Sequence, residues 1–246
     1  MKKDQGIYRI IAIGDSVTEQ GYYEKFLEDR LNDSILGQKF EVWNCGVGGY
    51  QMPQYYYYLK YKGVGFQPDM IIVGFTLGDI SNSPVVLMTK EGYKAYENPF
   101  TCIDFPLNRY LFLRYRTYRF FIYNLEKFLK STRPKQEIPD LIFKKFIDLA
   151  YSKDIKVVAL IWPYMKNDYS DWELTQYKEI RTILENYGIP YLDLHESFDN
   201  RDVIDLRSHP SDYIHPSRGA FRIMTPDIHN FILENLDSIR QETTQH

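Results

Sequence analysis

The sequence predicts an α/β fold in which helices cover both faces of a five-stranded parallel sheet. Five short apolar runs alternate with segments whose apolar residues recur every three or four positions, a pattern typical of strands joined by crossover helices. The chain has 246 residues, of which 44% are hydrophobic and 26% charged, an ordinary composition for a globular protein. We therefore expect a single domain spanning residues 1–246.

Each predicted strand is an apolar run that ends at a turn signal. The predicted strands are 8–13, 40–45, 70–75, 156–162 and 189–194, and the predicted helices are 19–36, 51–61, 107–130, 138–152, 171–187 and 217–239. Residues 81–134 are interpreted as an insertion, because 81–106 lack a clear period and long irregular loops often act as lids. Right-handed crossovers place the C-terminal ends of all the strands at one edge of the sheet, where α/β folds bind their ligands.

Composition argues against several classes of function. The formal net charge of −3 offers no general electrostatic case for binding nucleic acid, and neither Cys45 nor Cys102 belongs to a metal-ligand spacing. We therefore predict no metal and no cofactor. No apolar run is long enough to cross a membrane. Because Met1 to Lys3 lead directly into the first strand without a signal peptide, we expect a cytoplasmic protein, with part of a longer exported protein as the alternative.

The first candidate functional group lies in Gly14-Asp15-Ser16, where the first apolar run ends. A serine at this point lies at the C-terminal edge of the sheet, and the helix that follows offers free backbone N–H groups to a developing negative charge. Taken alone, Ser16 or Thr18 is better explained as a helix cap. A catalytic role for Ser16 requires a base and an oxyanion site elsewhere in the chain.

The second candidate is Asp212-Tyr213-Ile214-His215, which precedes the last predicted helix. A short Asp-x-x-His turn can bring Asp212 onto Nδ1 of His215 and leave Nε2 free for a serine, which is the nucleophile–base–orienter arrangement of hydrolases. The alternative is that Asp212 caps a turn and His215 is an ordinary surface residue. His195 is a weaker candidate for a structural or substrate-contact role, and His209 is a minor rival base.

Four motifs, taken together, resemble those of the SGNH (GDSL-type) hydrolases. They are Gly14-Asp15-Ser16, Asn44 to Gly49, Gly78-Asp79, and Asp212 to His215 followed by proline, in this order and spacing. The resemblance implies a flavodoxin-like three-layer α/β/α sandwich and ester hydrolysis or acyl transfer. It also implies that Ser16 is the nucleophile, that His215 is the general base and that Asp212 orients His215.

The same resemblance implies an oxyanion hole with three donors: the N–H of Ser16, a glycine N–H of the second motif and an asparagine side chain of the third. Gly49 best matches the glycine, and Gly48 is the next candidate. The asparagine is replaced by Gly78, which has no side-chain donor, so the hole is expected to be incomplete. Asn82, a water molecule or a group from the insertion are the candidate substitutes.

Asp79 and Trp162 are the predicted substrate contacts at this edge, although Trp162 is equally well explained as closure of the core. The expected substrate is a small-molecule or carbohydrate ester, such as an O-acetylated sugar, and the oligomeric state is left open. Two alternatives are an O-acyltransferase that uses the same three residues and a catalytically impaired SGNH domain that binds carbohydrate or a protein.

Overall fold

The computed structural model describes residues 3–80, 86–89, 92–96, 137–198 and 201–243, together with individual positions between 110 and 124. Its strands are β1 (Ile7–Ile13), β2 (Lys39–Asn44), β3 (Met70–Phe75), β4 (Val86–Thr89), β5 (Gly92–Tyr96), β6 (Lys156–Ile161) and β7 (Tyr191–Asp193). Five of them form a parallel sheet in the order β2-β1-β3-β6-β7, while β4 and β5 pair as an antiparallel hairpin. The order of the five-stranded sheet is that of flavodoxin-like folds.

Helices cover both faces of this sheet. The α-helices with defined bounds are α1 (Ser16–Glu19), α2 (Tyr23–Ser34), α3 (Met52–Tyr61), α4 (Glu137–Tyr151), α5 (Asp171–Asn186) and α6 (Arg218–Thr243). Helices α2 and α6 contact each other, as do α3 and α4. Among the described residues, no helix is both long enough and apolar enough to span a bilayer.

The central strand β1 shows how the sequence builds the three layers. Ile10 and Ala12 belong to the core that lies under α2 and α6, whereas Ile11 and Ile13 belong to the core that lies under α3, α4 and α5. Alternate side chains of a strand point to opposite faces, and a strand that is covered on both faces is apolar throughout. The predicted α/β/α architecture is therefore confirmed.

Three predicted elements differ from the structure. The predicted helix 19–36 is divided into α1 and α2 by Gly21, whose φ of +73° ends the first helix. The insertion was expected to lack regular structure up to residue 106, but it contains the β4–β5 hairpin. The last strand is shorter than predicted. The helix predicted over 107–130 lies largely outside the described residues, as does Asn82.

The topology brings the predicted motifs together at the C-terminal edge of the sheet. The loop after β2 is bonded to the loop after β1, since the N–H of Val47 donates to the carbonyl of Gly14 at 3.0 Å. The third motif follows β3, the other neighbour of β1 in the sheet. This edge therefore collects the side chains from which a site can be built.

Candidate active site

Ser16, His215 and Asp212 form a continuous hydrogen-bonded chain. The Oγ of Ser16 lies 2.7 Å from Nε2 of His215, and Nδ1 of His215 lies 2.7 Å from Oδ2 of Asp212. Ser16 is the first residue of α1, and Asp212 and His215 lie in the loop before α6. All three side chains are partly exposed, so a bound molecule can reach them. The structure thus brings together the three residues expected to form a triad.

The loop that carries the histidine is built by the aspartate itself. Oδ1 of Asp212 accepts the backbone N–H groups of Ile214 and His215, at 3.0 and 3.1 Å. This turn leaves Oδ2 free to receive the imidazole, so one carboxylate both shapes the loop and fixes the ring. Partial desolvation acts to raise the pKa of Asp212, but the hydrogen bonds from the His215 backbone and ring outweigh it and lower that pKa.

Asp15 stabilises the turn that carries Ser16. Its Oδ1 caps α1 by accepting the N–H of Val17 at 3.0 Å, and its Oδ2 accepts the hydroxyl of Thr76 at 3.0 Å. Burial raises the pKa of the Asp15 carboxyl, although these hydrogen bonds oppose the shift. Gly14 is required in this turn, because a Cβ there would lie 2.1 Å from Oγ1 of Thr18.

Two backbone donors are available for an oxyanion. Among the described residues, the N–H groups of Ser16 and Gly49 have no acceptor. The N–H of Gly48 is occupied, since it donates to Oε2 of Glu19 at 3.0 Å. Gly49 has a φ of +76°, a backbone conformation that favours glycine. Of the two glycines considered from the sequence, Gly49 is therefore the one whose N–H is unoccupied among the described residues.

The third oxyanion position has room for a side chain but holds none. A Cβ built on Gly78 would meet no atom of the described residues within 4 Å, and the residue is partly exposed. Its carbonyl accepts a hydrogen bond from the side chain of Gln51 at 3.1 Å, which holds the loop in place. Gly78 therefore supplies no side-chain donor, and the described residues around it leave space for one.

Asp79 is an internal residue rather than a substrate contact. It is 3% exposed, and its Oδ2 accepts the N–H of Thr76 at 2.7 Å and the hydroxyl of Tyr55 at 2.8 Å. Burial raises the pKa of Asp79 well above its usual value, and the nearby charge of Asp15 adds to the shift. The predicted substrate contact is thus wrong, because this carboxyl shapes the third loop from inside.

The predicted aromatic platform at Trp162 is also wrong. The side chain is 0% exposed and packs against the rings of Tyr23 and Phe221, with centroid separations of 5.0 and 5.7 Å. A second constraint is that a Cβ on Gly74 would lie 2.5 Å from the indole Nε1, so the ring is closely enclosed by β3. The alternative interpretation, closure of the core, is the correct one.

The remaining histidine candidates lie apart from Ser16. His195 packs edge-on against Tyr169 and Tyr177, with centroid separations of 5.5 and 6.4 Å. His209 pairs with the hydroxyl of Ser211 at 2.9 Å. Neither contacts Ser16, so of these three histidines only His215 is hydrogen-bonded to it. Within the described part of the chain, no three His, Cys, Asp or Glu side chains are grouped so as to hold a metal ion.

The polar residues that support this site were missed in the sequence. Thr76 joins the first and third loops through Asp15, and Tyr55 of α3 donates to Asp79 of the third loop, but neither residue type is diagnostic of such a role. Glu24 is a second omission, because it looks like an ordinary residue of an amphipathic helix. These residues share one property. Each carries a polar group in a buried segment, where polar groups need hydrogen-bond partners.

Comparison with known proteins agrees with this geometry. Residues 12–222 match the model of the GDSL-like Lipase/Acylhydrolase family. A search of curated proteins finds no match. The fold is similar to that of an acetylxylan esterase from Geobacillus stearothermophilus, with 13% identity, a TM-score of 0.60, and coverage of 92% of this chain and 94% of that one.

A second solved structure shows the same fold. A GDSL-like lipase from Bacteroides thetaiotaomicron has 13% identity and a TM-score of 0.53, and the alignment covers 92% of this chain and 88% of that one. At such low identity these structures support the architecture, and the family assignment rests on the sequence model. Since that model spans most of the chain, the chain belongs to the GDSL-like lipase/acylhydrolase family, a family of ester hydrolases.

Proposed function

We propose that the chain is a serine esterase that removes a short acyl group from an alcohol through an acyl-Ser16 intermediate. The observation that supports this most directly is the chain of two 2.7 Å contacts that joins Ser16, His215 and Asp212. A hydroxyl paired with an imidazole, which a carboxylate orients, is the arrangement that activates serine as a nucleophile.

In the acylation step, Nε2 of His215 takes the hydroxyl proton while Oγ of Ser16 forms a bond to the ester carbonyl carbon. The carbonyl oxygen becomes an oxyanion, and the N–H groups of Ser16 and Gly49 are the donors proposed to bind it. The bond from the carbonyl carbon to the alcohol oxygen then breaks, and the protonated imidazole gives its proton to the departing alcohol.

Deacylation repeats these roles with water. Nε2 of His215 takes a proton from water as the water oxygen attacks the acyl carbon, and Ser16 leaves with the proton that the imidazole returns. The carboxylic acid is released and the serine is restored. Because its pKa is lowered, Asp212 stays ionised and holds the imidazole throughout.

The proposed substrate is an acetyl or similarly short acyl ester of a carbohydrate. Support comes from the likeness of the fold to an esterase that is named for acetylxylan. A panel of p-nitrophenyl esters of increasing chain length, assayed beside peracetylated sugars, would separate short from long acyl groups. Addition of an acceptor sugar to the same assay would reveal transfer to the sugar hydroxyl instead of water.

A second candidate is a domain that binds carbohydrate or a protein without catalysis, and Gly78 is the observation that favours it. Such a domain would retain the triad but stabilise the oxyanion poorly. The two candidates differ in turnover, because a domain that keeps the triad can still react with a fluorophosphonate but would hydrolyse an aryl acetate no faster than Ser16→Ala.

The test is hydrolysis of p-nitrophenyl acetate by the wild-type protein and by Ser16→Ala. We expect the substitution to lower the rate by at least about 10³-fold and to abolish fluorophosphonate labelling. Ser211→Ala is the matched control, since Ser211 is an exposed serine bonded to His209, and it should keep both signals. Activity that survives Ser16→Ala would remove the assignment.

A further inference from the structure

Glu24 is a buried carboxyl group that none of the sequence motifs includes. It lies in the first turn of α2 and is 2% exposed, and its Oε2 has no hydrogen-bond partner among the described residues. Its Oε1 accepts a hydrogen bond of 3.0 Å from Nδ2 of Asn44, at the end of β2. A buried carboxyl is costly unless it is neutral or well paired, so its presence beside the site requires an explanation.

The amide of Asn44 connects Glu24 to both backbone segments of the candidate oxyanion hole. Its Nδ2 also donates to the backbone carbonyl of Thr18 in α1, and its Oδ1 accepts the N–H of Gly46 at 2.9 Å. An amide nitrogen carries two hydrogens, so Thr18 and Glu24 use both of them. The amide is thereby held in one orientation between the nucleophile helix and the glycine loop.

These two segments approach each other closely. A Cβ on Gly46 would come within 2.3 Å of the backbone nitrogen of Glu19, so no larger residue fits there without a shift of the backbone. The N–H of Gly48 donates to the side chain of the same glutamate. The placement of the Gly49 N–H relative to Ser16 therefore depends on a small set of contacts, and the Asn44 amide is one of them.

We propose that Glu24 is a positioning residue of the esterase, which acts through Asn44 to hold the Gly49 N–H beside Ser16 for the oxyanion. The proposal rests on the proposed ester hydrolysis. Glu24 makes no contact with Ser16, His215 or Asp212, so its effect is on the geometry of the hole. Oxyanion donors act mainly in the transition state, and we therefore expect kcat to change more than KM.

The protonation of Glu24 gives this role a signature in pH. Burial raises the pKa of Glu24 to about 8, so the carboxyl is neutral at neutral pH. The titratable groups that interact with it are the hydroxyl of Tyr23 on the same helix and the thiol of Cys45 after β2, and neither supplies a positive charge. Above about pH 8 a buried anion forms with no cation beside it among the described residues. The Asn44 hydrogen bond favours this anion, but its unpaired Oε2 should draw in water, and that hydration should shift the Asn44 amide.

The experiment compares Glu24→Leu and Glu24→Gln with the wild type in hydrolysis of p-nitrophenyl acetate, with rates normalised to sites titrated by a fluorophosphonate. We expect Glu24→Leu to lower kcat by about tenfold or more with KM within about twofold. Glu24→Gln should keep kcat within about threefold at neutral pH and remove the decline of kcat that the wild type shows above about pH 8. The glutamine keeps the acceptor for Asn44 and cannot ionise.

Glu28→Gln is the matched control, because Glu28 lies one turn later on α2 and its carboxylate accepts the N–H of Val42 in β2 at 2.9 Å. It should leave kcat and the pH profile unchanged. An unchanged kcat per titrated site in Glu24→Leu, or an alkaline decline that persists in Glu24→Gln, would overturn the proposal. If Glu24→Leu does not fold, the pH profile of Glu24→Gln still decides. A wild-type protein that hydrolyses no ester refutes the proposed function instead.

Discussion

The acid–base half of the site and its oxyanion half are built in different ways. Asp212 and His215 are three residues apart, and a single carboxylate both forms their turn and holds the imidazole. The proposed oxyanion donors come instead from separate loops, and in the described part of the third loop the expected donor position is Gly78, which has no side-chain donor. The acid–base turn is short and self-contained, whereas the proposed oxyanion hole is assembled from three loops and lacks, among the described residues, the side-chain donor expected at Gly78. We therefore expect that mutations can separate the activation of Ser16 from the stabilisation of the oxyanion.

The first test of this separation disrupts the acid–base half of the site, Asp212 and His215. We expect Asp212→Asn to lower kcat/KM for an aryl acetate by about 10³–10⁴-fold, because an amide neither fixes the same imidazole tautomer nor stabilises the imidazolium. Ser208→Ala is the control, since the Ser208 hydroxyl contacts the same carboxylate oxygen only at 3.4 Å, and its effect should be small. A comparable loss in both variants would show that the loop, and not the carboxylate, was disturbed.

The same variant carries a stability prediction with a defined sign. The pKa of Asp212 is lowered in the folded protein, so its ionised form contributes stability above the unfolded pKa of about 3.9. That contribution is lost as the pH falls through the lower, folded pKa. Thermal unfolding at several pH values should therefore show wild type and Asp212→Asn converging in strongly acidic buffer and separating toward neutral pH.

The second test adds the expected third donor to the proposed oxyanion hole. We expect Gly78→Asn to raise kcat by about tenfold or more, since one oxyanion donor is worth about 10²–10³-fold and a newly introduced side chain is less well placed than an evolved one. The substitution is sterically acceptable to the described residues, none of which would lie within 4 Å of a Cβ on Gly78. The measurement is kcat for p-nitrophenyl acetate, with KM followed separately.

Two controls at the same position make this result specific. Gly78→Ala adds a side chain without a donor and should leave kcat close to that of the wild type. Gly78→Asp has the shape of asparagine but places a carboxylate against a developing anion, so it should lower kcat. If Asn and Ala behave alike, a different group supplies the third donor in the wild-type protein.

The sequence predicted the triad more completely than its surroundings for a physical reason. Asp212 and His215 are close in the chain, and Ser16 ends the central strand of a sheet whose topology follows from its apolar runs. Asp79 is predicted as a substrate contact because Gly78-Asp79 follows a strand at the C-terminal edge of the sheet. Only the fold reveals that Tyr55, 24 residues away, and Thr76 enclose it.

Trp162 shows the same limit of sequence-based prediction for an apolar side chain. A tryptophan where a strand ends can face either the solvent or the core, and the composition of the strand does not distinguish the two. The Trp162 ring lies in the core because it packs against Tyr23 and Phe221, which come from two different helices. Such pairings between distant segments were outside what periodicity and spacing can predict.

The smallest expected effect concerns the buried carboxyl beside the incomplete half. Because the pKa of Asp79 is raised far above its usual value, the folded protein keeps a proton that the unfolded chain releases above about pH 3.9. Its stabilising contribution is fully present below that pH and declines as the pH rises toward the folded pKa. The slope is about 1.4 kcal/mol per pH unit while only the unfolded state has lost the proton.

Asp79→Asn removes this titration while keeping an uncharged group of the same shape. We expect kcat at neutral pH to stay within about threefold of the wild type, because the neutral acid and the amide can both accept from Thr76 and Tyr55. The free energy of unfolding of the variant, measured by urea titration, should rise relative to the wild type as the pH is raised. A difference that stays constant with pH would mean that Asp79 is ionised when folded. An ionised Asp79 would then hold the third loop, just as the ionised Asp212 holds the turn at His215.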